Sequence, residues 1–348
     1  MLQSRGMASD HDLPSEEDLA LINALQIAPR ARWSDLAHVL DAHPTSLASR
    51  WERLNTAGIA WITGHLVGDP QEMSLSFLEV DCDMRRREAI SAALTEVPQI
   101  ATVEHSASDR TLLLTVLTAS FQELSEIVIE QLTALPGVLG YRAAMSTRLH
   151  QGGYAWRLGV LNADQRAQVQ LLAHPTGGPA SHLPPSHLAL LPQLATNGRV
   201  TAAEMARKLH RTPATVQRQL NKVITANVLS FRCEIAQRYS GFPISCQWSA
   251  RVPADAHDSA ARALAAMPQV RLAASTTGEA NFVIIMWLRS VAEVMDVELA
   301  LTQRIPGIEL LRNTIILRAT KRVGWLLNPD TTSQGPARHP PAVTDFAR

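Results

Sequence analysis

Residues 188–229 read LALLPQLATNGRVTAAEMARKLHRTPATVQRQLNKVITANVL, and the same pattern has already occurred 169 residues earlier. Adding 169 to Leu21, Leu25, Arg30, Ala37, Leu40 and Pro44 gives Leu190, Leu194, Arg199, Ala206, Leu209 and Pro213. Each copy has three short amphipathic segments with a polar break between the second and third, the spacing of a helix-turn-helix. In the later copy Thr201 and Glu204 carry the pattern of a capping box, which starts a helix at Ala202. Thr212 then supplies an N-cap, and Pro213 takes the first position of the third helix, where a missing amide hydrogen costs nothing. Along that helix Val216, Leu220 and Val223 fall at core spacing, which turns Ala214, Thr215, Gln217, Arg218, Asn221 and Lys222 outward.

A helix presented on such a turn fits the major groove of DNA, with the preceding helices braced across the phosphates. The residues predicted to meet double-stranded DNA are therefore Arg211, Thr212, Thr215, Gln217, Arg218, Asn221 and Lys222. The plainer reading of the same residues is an exposed polar helix face of no special use. The earlier copy departs from the later one in a consistent direction. Arg32 stands where the later copy has Thr201, and His43 where it has Thr212, so both N-caps are expected to be lost at roughly 1 kcal/mol each. From Glu16 to His65 there are four cations against six anions, a net −2; from Leu188 to Arg232 there are seven against one, a net +6. Phosphate attraction supplies most non-specific affinity, so the second copy is the better candidate reader.

Composition narrows the remaining classes. At 348 residues and 46% hydrophobic the chain suggests two or three packed domains, and its formal charge of zero makes any nucleic-acid argument regional. Cys82, Cys233 and Cys246 show neither metal spacing nor a disulfide framework, which suits a reducing cytoplasm. No metal or cofactor is expected. The first fourteen residues lack the apolar core of a signal peptide, and the longest apolar run, Phe282 to Leu288, is too short to span a bilayer, so no membrane role is expected.

The chain beyond each three-helix pattern repeats as well. After an apolar strand, 61–67 or 228–235, the first copy reads as strand (73–82), helix (85–97), strand (100–107), strand (112–118), helix (121–135) and strand (138–149). The second copy gives the same βαββαβ order over 244–320, at an offset of 170, with Pro98 matched by Pro268 and Pro136-Gly137 by Pro306-Gly307. The order predicts an α+β chain: a tandem repeat of a winged-type helix-turn-helix and a ferredoxin-like domain, one sheet face covered by helices and the other free to meet a second sheet. The expected divisions are 15–65, 73–150, a linker 151–187, 188–235, 242–323 and a disordered tail 324–348. Within the linker, Trp156, Leu158, Val160, Leu161 and a helical patch 163–172 carry enough apolar surface to pack on a domain. The hinge itself is PTGGPASHLPP.

With its helix ends LTEVPQI, LTALPGV, LAAMPQV and LTQRIPGI, this twice-repeated order resembles the leucine-responsive/asparagine-type (Lrp/AsnC) family of bacterial transcriptional regulators, over nearly the whole chain from Ser15 to Val323. The resemblance implies a DNA-binding regulator whose ferredoxin-like domains pair sheet to sheet and sense a small molecule, usually an amino acid. It also places the effector near the turn between the second and third strands, marked in the family by Gly-x-x-Asp. The second copy offers Ser275, Thr277, Gly278, Glu279 and Asn281 there, and the first offers Asp109 and Arg110. Neither copy matches fully, since the usual carboxylate is missing from the second; an ordinary polar hairpin turn is the alternative.

Because this chain carries both sets of domains, its two ferredoxin-like units are expected to pair within one polypeptide, as an internal pseudo-dimer. Two other classes stay open. One is a haem-precursor decarboxylase of the siroheme type, which resembles this two-domain plan and would need histidines and arginines converging on carboxylates; His105 is the best-placed histidine. The other is a metabolite-binding oligomeriser that makes only protein contacts. No Ser/His/Asp, P-loop or paired-carboxylate constellation is present, so the sequence by itself predicts no enzyme.

Overall fold

The computed structural model describes residues 13–66, 74–108, 111–173 and 183–338. In the first copy α1 (Glu16–Ile27), α2 (Trp33–Leu40) and α3 (Pro44–Thr56) lead into β1 (Ala60–Leu66). Ser15 and Asp18 close a capping box on α1, while α2 starts at Arg32 with no side-chain cap. At α3 the expectation of a lost cap is corrected: the His43 ring accepts the Thr45 amide at 3.4 Å, a long bond that partly replaces a threonine cap. Then come β2 (Ser74–Cys82), α4 (Arg87–Thr95), β3 (Ile100–Ser106), β4 (Thr111–Thr118), α5 (Phe121–Ser125) continued by a π-helical segment Glu126–Leu132, and β5 (Val138–Gln151).

The segment expected to be a linker is part of the first core. Helix α6 (Ala163–Leu172) opens on an Asn162/Gln165 capping box, and Trp156, Leu161 and Val169 are buried with Leu21, Leu25, Leu36, Leu47 and Leu54. The hinge PTGGPASHLPP falls, for residues 175–182, outside the described residues. The second copy runs α7 (Pro185–Leu188), α8 (Leu191–Thr196), α9 (Ala202–Leu209), α10 (Pro213–Thr225) and β6 (Leu229–Ile235). It continues with β7 (Ile244–Arg251), α11 (His257–Ala265), β8 (Val270–Thr276), β9 (Phe282–Leu288), α12 (Glu293–Arg304) and β10 (Glu309–Arg322).

The two βαββαβ units meet differently from the face-to-face packing expected. Their strands join in the order β3-β4-β2-β5-β8-β9-β7-β10, and β10 returns to β3, so eight strands close into a barrel. The cause is strand length. β5 and β10 have 14 residues each, more than their own sheet uses. The first part of β5 pairs with β2 and the remainder, Ser146 to Gln151, with β8; the first part of β10 pairs with β7 and the remainder, Ile316 to Lys321, with β3. Each overhang thereby covers an edge that would otherwise expose unpaired N–H and C=O groups. Phe77, Ala274 and Val283 pack inside the barrel, and the helices cover its outside through Leu78, Val80 and Ile90 in one copy and Trp248, Ile284 and Leu301 in the other. The pairing expected within one chain is thus present, edge to edge.

The expected disordered tail is also corrected. β11 (Trp325–Leu327) and β12 (Ser333–Pro336) extend the sheet from β10. The Trp325 ring stacks on Trp61 at 5.7 Å, and the Ser333 amide bonds the Gly58 carbonyl at 2.8 Å. Gly58 has φ +66, and a Cβ there would collide with the Ser333 backbone, so only glycine allows this approach.

Candidate functional site

The outer face of α10 is built by its caps. Thr212 accepts the Thr215 amide at 3.3 Å, Pro213 occupies the first turn, and Val216, Leu220 and Val223 bury the opposite face. Gln217, Arg218, Asn221 and Lys222 are exposed, with Gln217 donating to Asn221 at 2.8 Å. Among the described residues the side chains of Arg218 and Lys222 have no hydrogen-bond or ion-pair partner, and both are exposed, so their charges face solvent. The nearby His187 ring is held below its ordinary pKa by burial, with Lys222, Arg211 and Arg218 pushing the same way. Arg211 differs from its predicted role: it turns back to the Ser186 carbonyl at 2.8 Å and to Gln219 at 3.0 Å, bracing the helix. Thr215 is half-buried.

On the matching helix α3 the cations are spent. Asp18 takes Arg53 at 2.6 Å and Arg50 at 3.3 Å, and Glu17 lies 4.0 Å from Arg50. These pairs lie within the first unit and leave its net charge of −2 unchanged, but they hold the α3 cations against carboxylates. The two three-helix units are held as a reciprocal pair. β1 and β6 form a two-stranded antiparallel sheet, Arg199 donates to the carbonyls of Pro29 and Ala31, and Arg30 donates to those of Gly198 and Val200. The Arg199 guanidinium also lies 3.8 Å from the centre of the Trp33 ring.

The predicted effector residues divide. Asn281 spends its side chain on Val252, donating to its carbonyl and accepting its amide, both at 2.8 Å. The Thr277 hydroxyl accepts the Met145 amide at 3.0 Å, tying the hairpin to β5. Gly278 turns at φ +105, and Glu279 is exposed beside it. Asp109 and Arg110 lie outside the described residues. Ser275 is buried at the β5–β8 seam, with its Oγ 2.7 Å from His150 Nε2 and 2.6 Å from His257 Nδ1. If the single hydroxyl donates to one ring and accepts from the other, the two neutral imidazoles hold the same tautomer, both protonated at Nδ1 or both at Nε2. Burial, and then Arg148, keeps the His150 pKa below its ordinary value.

Sequence reasoning missed His150 and His257, because 125 and 18 residues separate them from Ser275. The 170-residue repeat offered a signal, since Arg148 and Asp258 recur as Arg318 and Glu88 at the other seam. There His105 bonds Ser91 at 2.9 Å, and burial, with Arg318 and Arg87, lowers its pKa to about 4. The imidazole is neutral at ordinary pH, which fits a structural histidine. Among the described residues no group of three or more His, Cys, Asp or Glu has metal-binding geometry, and no helix is long and apolar enough to cross a membrane.

The profile of the Lrp/AsnC ligand binding domain matches residues 75–151 and again 249–326. No curated protein matches the chain by sequence. Among solved structures, that of the siroheme decarboxylase NirDL is 15% identical, covers 89% of this chain and 93% of its own, and superposes with a TM-score of 0.55. The same enzyme in complex with an iron-uroporphyrin III analogue is 14% identical over the same shares, also with a TM-score of 0.55. AsnC from E. coli is 17% identical, covering 39% of this chain and 93% of its own with a TM-score of 0.34. The expectation of a non-enzyme is thereby overturned: the fold that matches this chain almost end to end is the fold of an enzyme. The chain thus carries the Lrp/AsnC ligand binding domain twice, in tandem.

Proposed function

We propose that the chain is a ligand-responsive, DNA-binding regulator that works as a single-chain pseudo-dimer and reads DNA mainly through α10. The observation that carries this reading is the contrast between the side chains of Arg218 and Lys222, exposed without a hydrogen-bond or ion-pair partner among the described residues, and Arg50 and Arg53, paired with Asp18 and Glu17. Cations not already paired with carboxylates can neutralise phosphates and so release the counterions condensed on DNA, and of these two helices α10 offers them among the described residues. The effector is then a small molecule, an amino acid by family analogy, received near Gly278, Glu279 and the Ser275 seam. The test is a duplex selected from a random pool, with affinity followed by fluorescence anisotropy against salt. Arg218→Ala with Lys222→Ala is expected to lower the salt slope by about 2, near 0.9 for each phosphate no longer neutralised. Ser49→Ala with Arg53→Ala is expected to change it little, and equal losses from both pairs would refute the asymmetry.

The His150–Ser275–His257 seam favours a second reading, carboxylate chemistry of the siroheme decarboxylase kind. Two imidazoles on one hydroxyl form a chain able to hold and move a proton. Incubation with siroheme, followed by mass spectrometry for loss of carbon dioxide, separates the readings. Turnover abolished by His150→Gln supports the enzyme, and unchanged substrate removes it.

A further inference from the structure

A cluster of charged groups is buried where the paired three-helix units rest on one mouth of the barrel. Arg271 of β8 and Arg322 of β10 come from the barrel wall with Glu104 of β3, while Arg232 and Glu234 come from β6. Glu234 takes Arg271 at 3.1 Å and also pairs with Arg232; Glu104 lies 3.7 Å from Arg322. Arg322 also donates to Gln237 at 3.1 Å. The Arg271 guanidinium lies 3.9 Å from the Trp287 ring centre and 4.9 Å from that of Trp156. Three guanidinium groups thus face two carboxylates, all at most about one-tenth exposed, with Arg157 adding a further positive charge at the edge.

An arginine does not shed its proton, so this excess has to be balanced by an anion or by contacts with polar atoms. The protein leaves donors for that purpose. Arg322 Nη1 and the indole N–H of Trp156 are buried without a hydrogen-bond acceptor among the described residues, although Arg322 is 5% and Trp156 3% exposed. We propose that this cluster is a binding site for a small anion, a carboxylate or an inorganic anion of similar size, held by Arg322 and Arg271 under the aromatic cover of Trp156 and Trp287. Because the site joins β6 to both halves of the barrel, its occupancy strengthens the seat of the three-helix pair.

The experiment uses the full chain in a buffer whose balancing anion is the bulky HEPES sulfonate, titrated at constant sodium with chloride, phosphate or acetate. Melting temperature and tryptophan emission are followed together. A saturable rise in melting temperature with a parallel emission change is expected. Chloride or phosphate as the responding salt identifies an inorganic anion, and acetate identifies the carboxylate of a ligand. Glu104→Gln removes a competing negative charge and is expected to tighten the anion about tenfold or more, whereas Arg322→Gln weakens it by a similar factor. The opposite signs distinguish binding from a merely structural role, and Glu104→Gln keeps the test open if Arg322→Gln does not fold. A linear, unsaturable response to all three salts, or a Glu104→Gln variant that binds no tighter, overturns the site.

Discussion

Replacing Lys321 with methionine tests how the two copies are joined. Lys321 is fully buried on β10 of the second copy, and its Nζ donates to the carbonyls of Thr95 and Val97 at the end of α4 in the first, each at 2.9 Å. Burial lowers its pKa from 10.5 to about 8, with Glu96 acting the other way. At about 1.4 kcal/mol per tenfold, that gap corresponds to about 3 kcal/mol. Between pH 8 and 10.5 the unfolded chain holds a proton that the folded chain has released, so stability rises with pH there by up to that amount. Below pH 8 both states are charged and the full cost of burying the ammonium remains. In Lys321→Met that cost disappears, but two carbonyls lose their donor, at about 1–3 kcal/mol each. The two effects nearly offset near pH 7, whereas above pH 10 only the loss is left. The deficit of the variant is therefore expected to grow by about 3 kcal/mol across this range. Urea unfolding of both proteins at pH 7, 8, 9 and 10 measures it. A deficit that does not change with pH would refute the reasoning.

Two further outcomes are expected. Thr212→Ala removes the N-cap of α10 and should cost roughly 1 kcal/mol by denaturant melting, with faster amide exchange at Thr215, while Thr212→Asn stays close to the parent; identical exchange in all three would place the helix start elsewhere. Expressed separately, residues 13–173 and 183–338 each lack the strand that covers an edge, β10 for β3 and β5 for β8, so mixing them should give a one-to-one complex by light scattering; two stable homodimers that ignore each other would contradict the seams.

The elements are legible to within a residue or two wherever their signal is local. Thr212, Pro213 and Val216 mark the start of α10 through chemistry within one turn of the chain, and the apolar run along 282–288 marks a strand of seven residues. Legibility fails where a side chain is defined by distant partners. Asn281 reads as a ligand group, yet Val252 uses both ends of its amide. Arg50 and Arg53 count as free charges until Asp18, 32 and 35 residues away, meets them. Trp325 reads as the start of a loose tail because Trp61, against which it packs, is 264 residues distant.

Sequence alone establishes the duplication, the order of helices and strands in each copy, and the asymmetry of charge between the two three-helix units. These arise from periods of two and 3.6 residues, from caps and from composition, all of which act within a few residues. That the two sheets close edge to edge is settled only in three dimensions, since strand alternation says which face is buried but not which edge finds a partner. The same closure brings His150 and His257 to Ser275, and gathers Arg271, Arg322 and Glu104 from three strands into one buried cluster, because a barrel places neighbours by hydrogen-bond register rather than by distance along the chain.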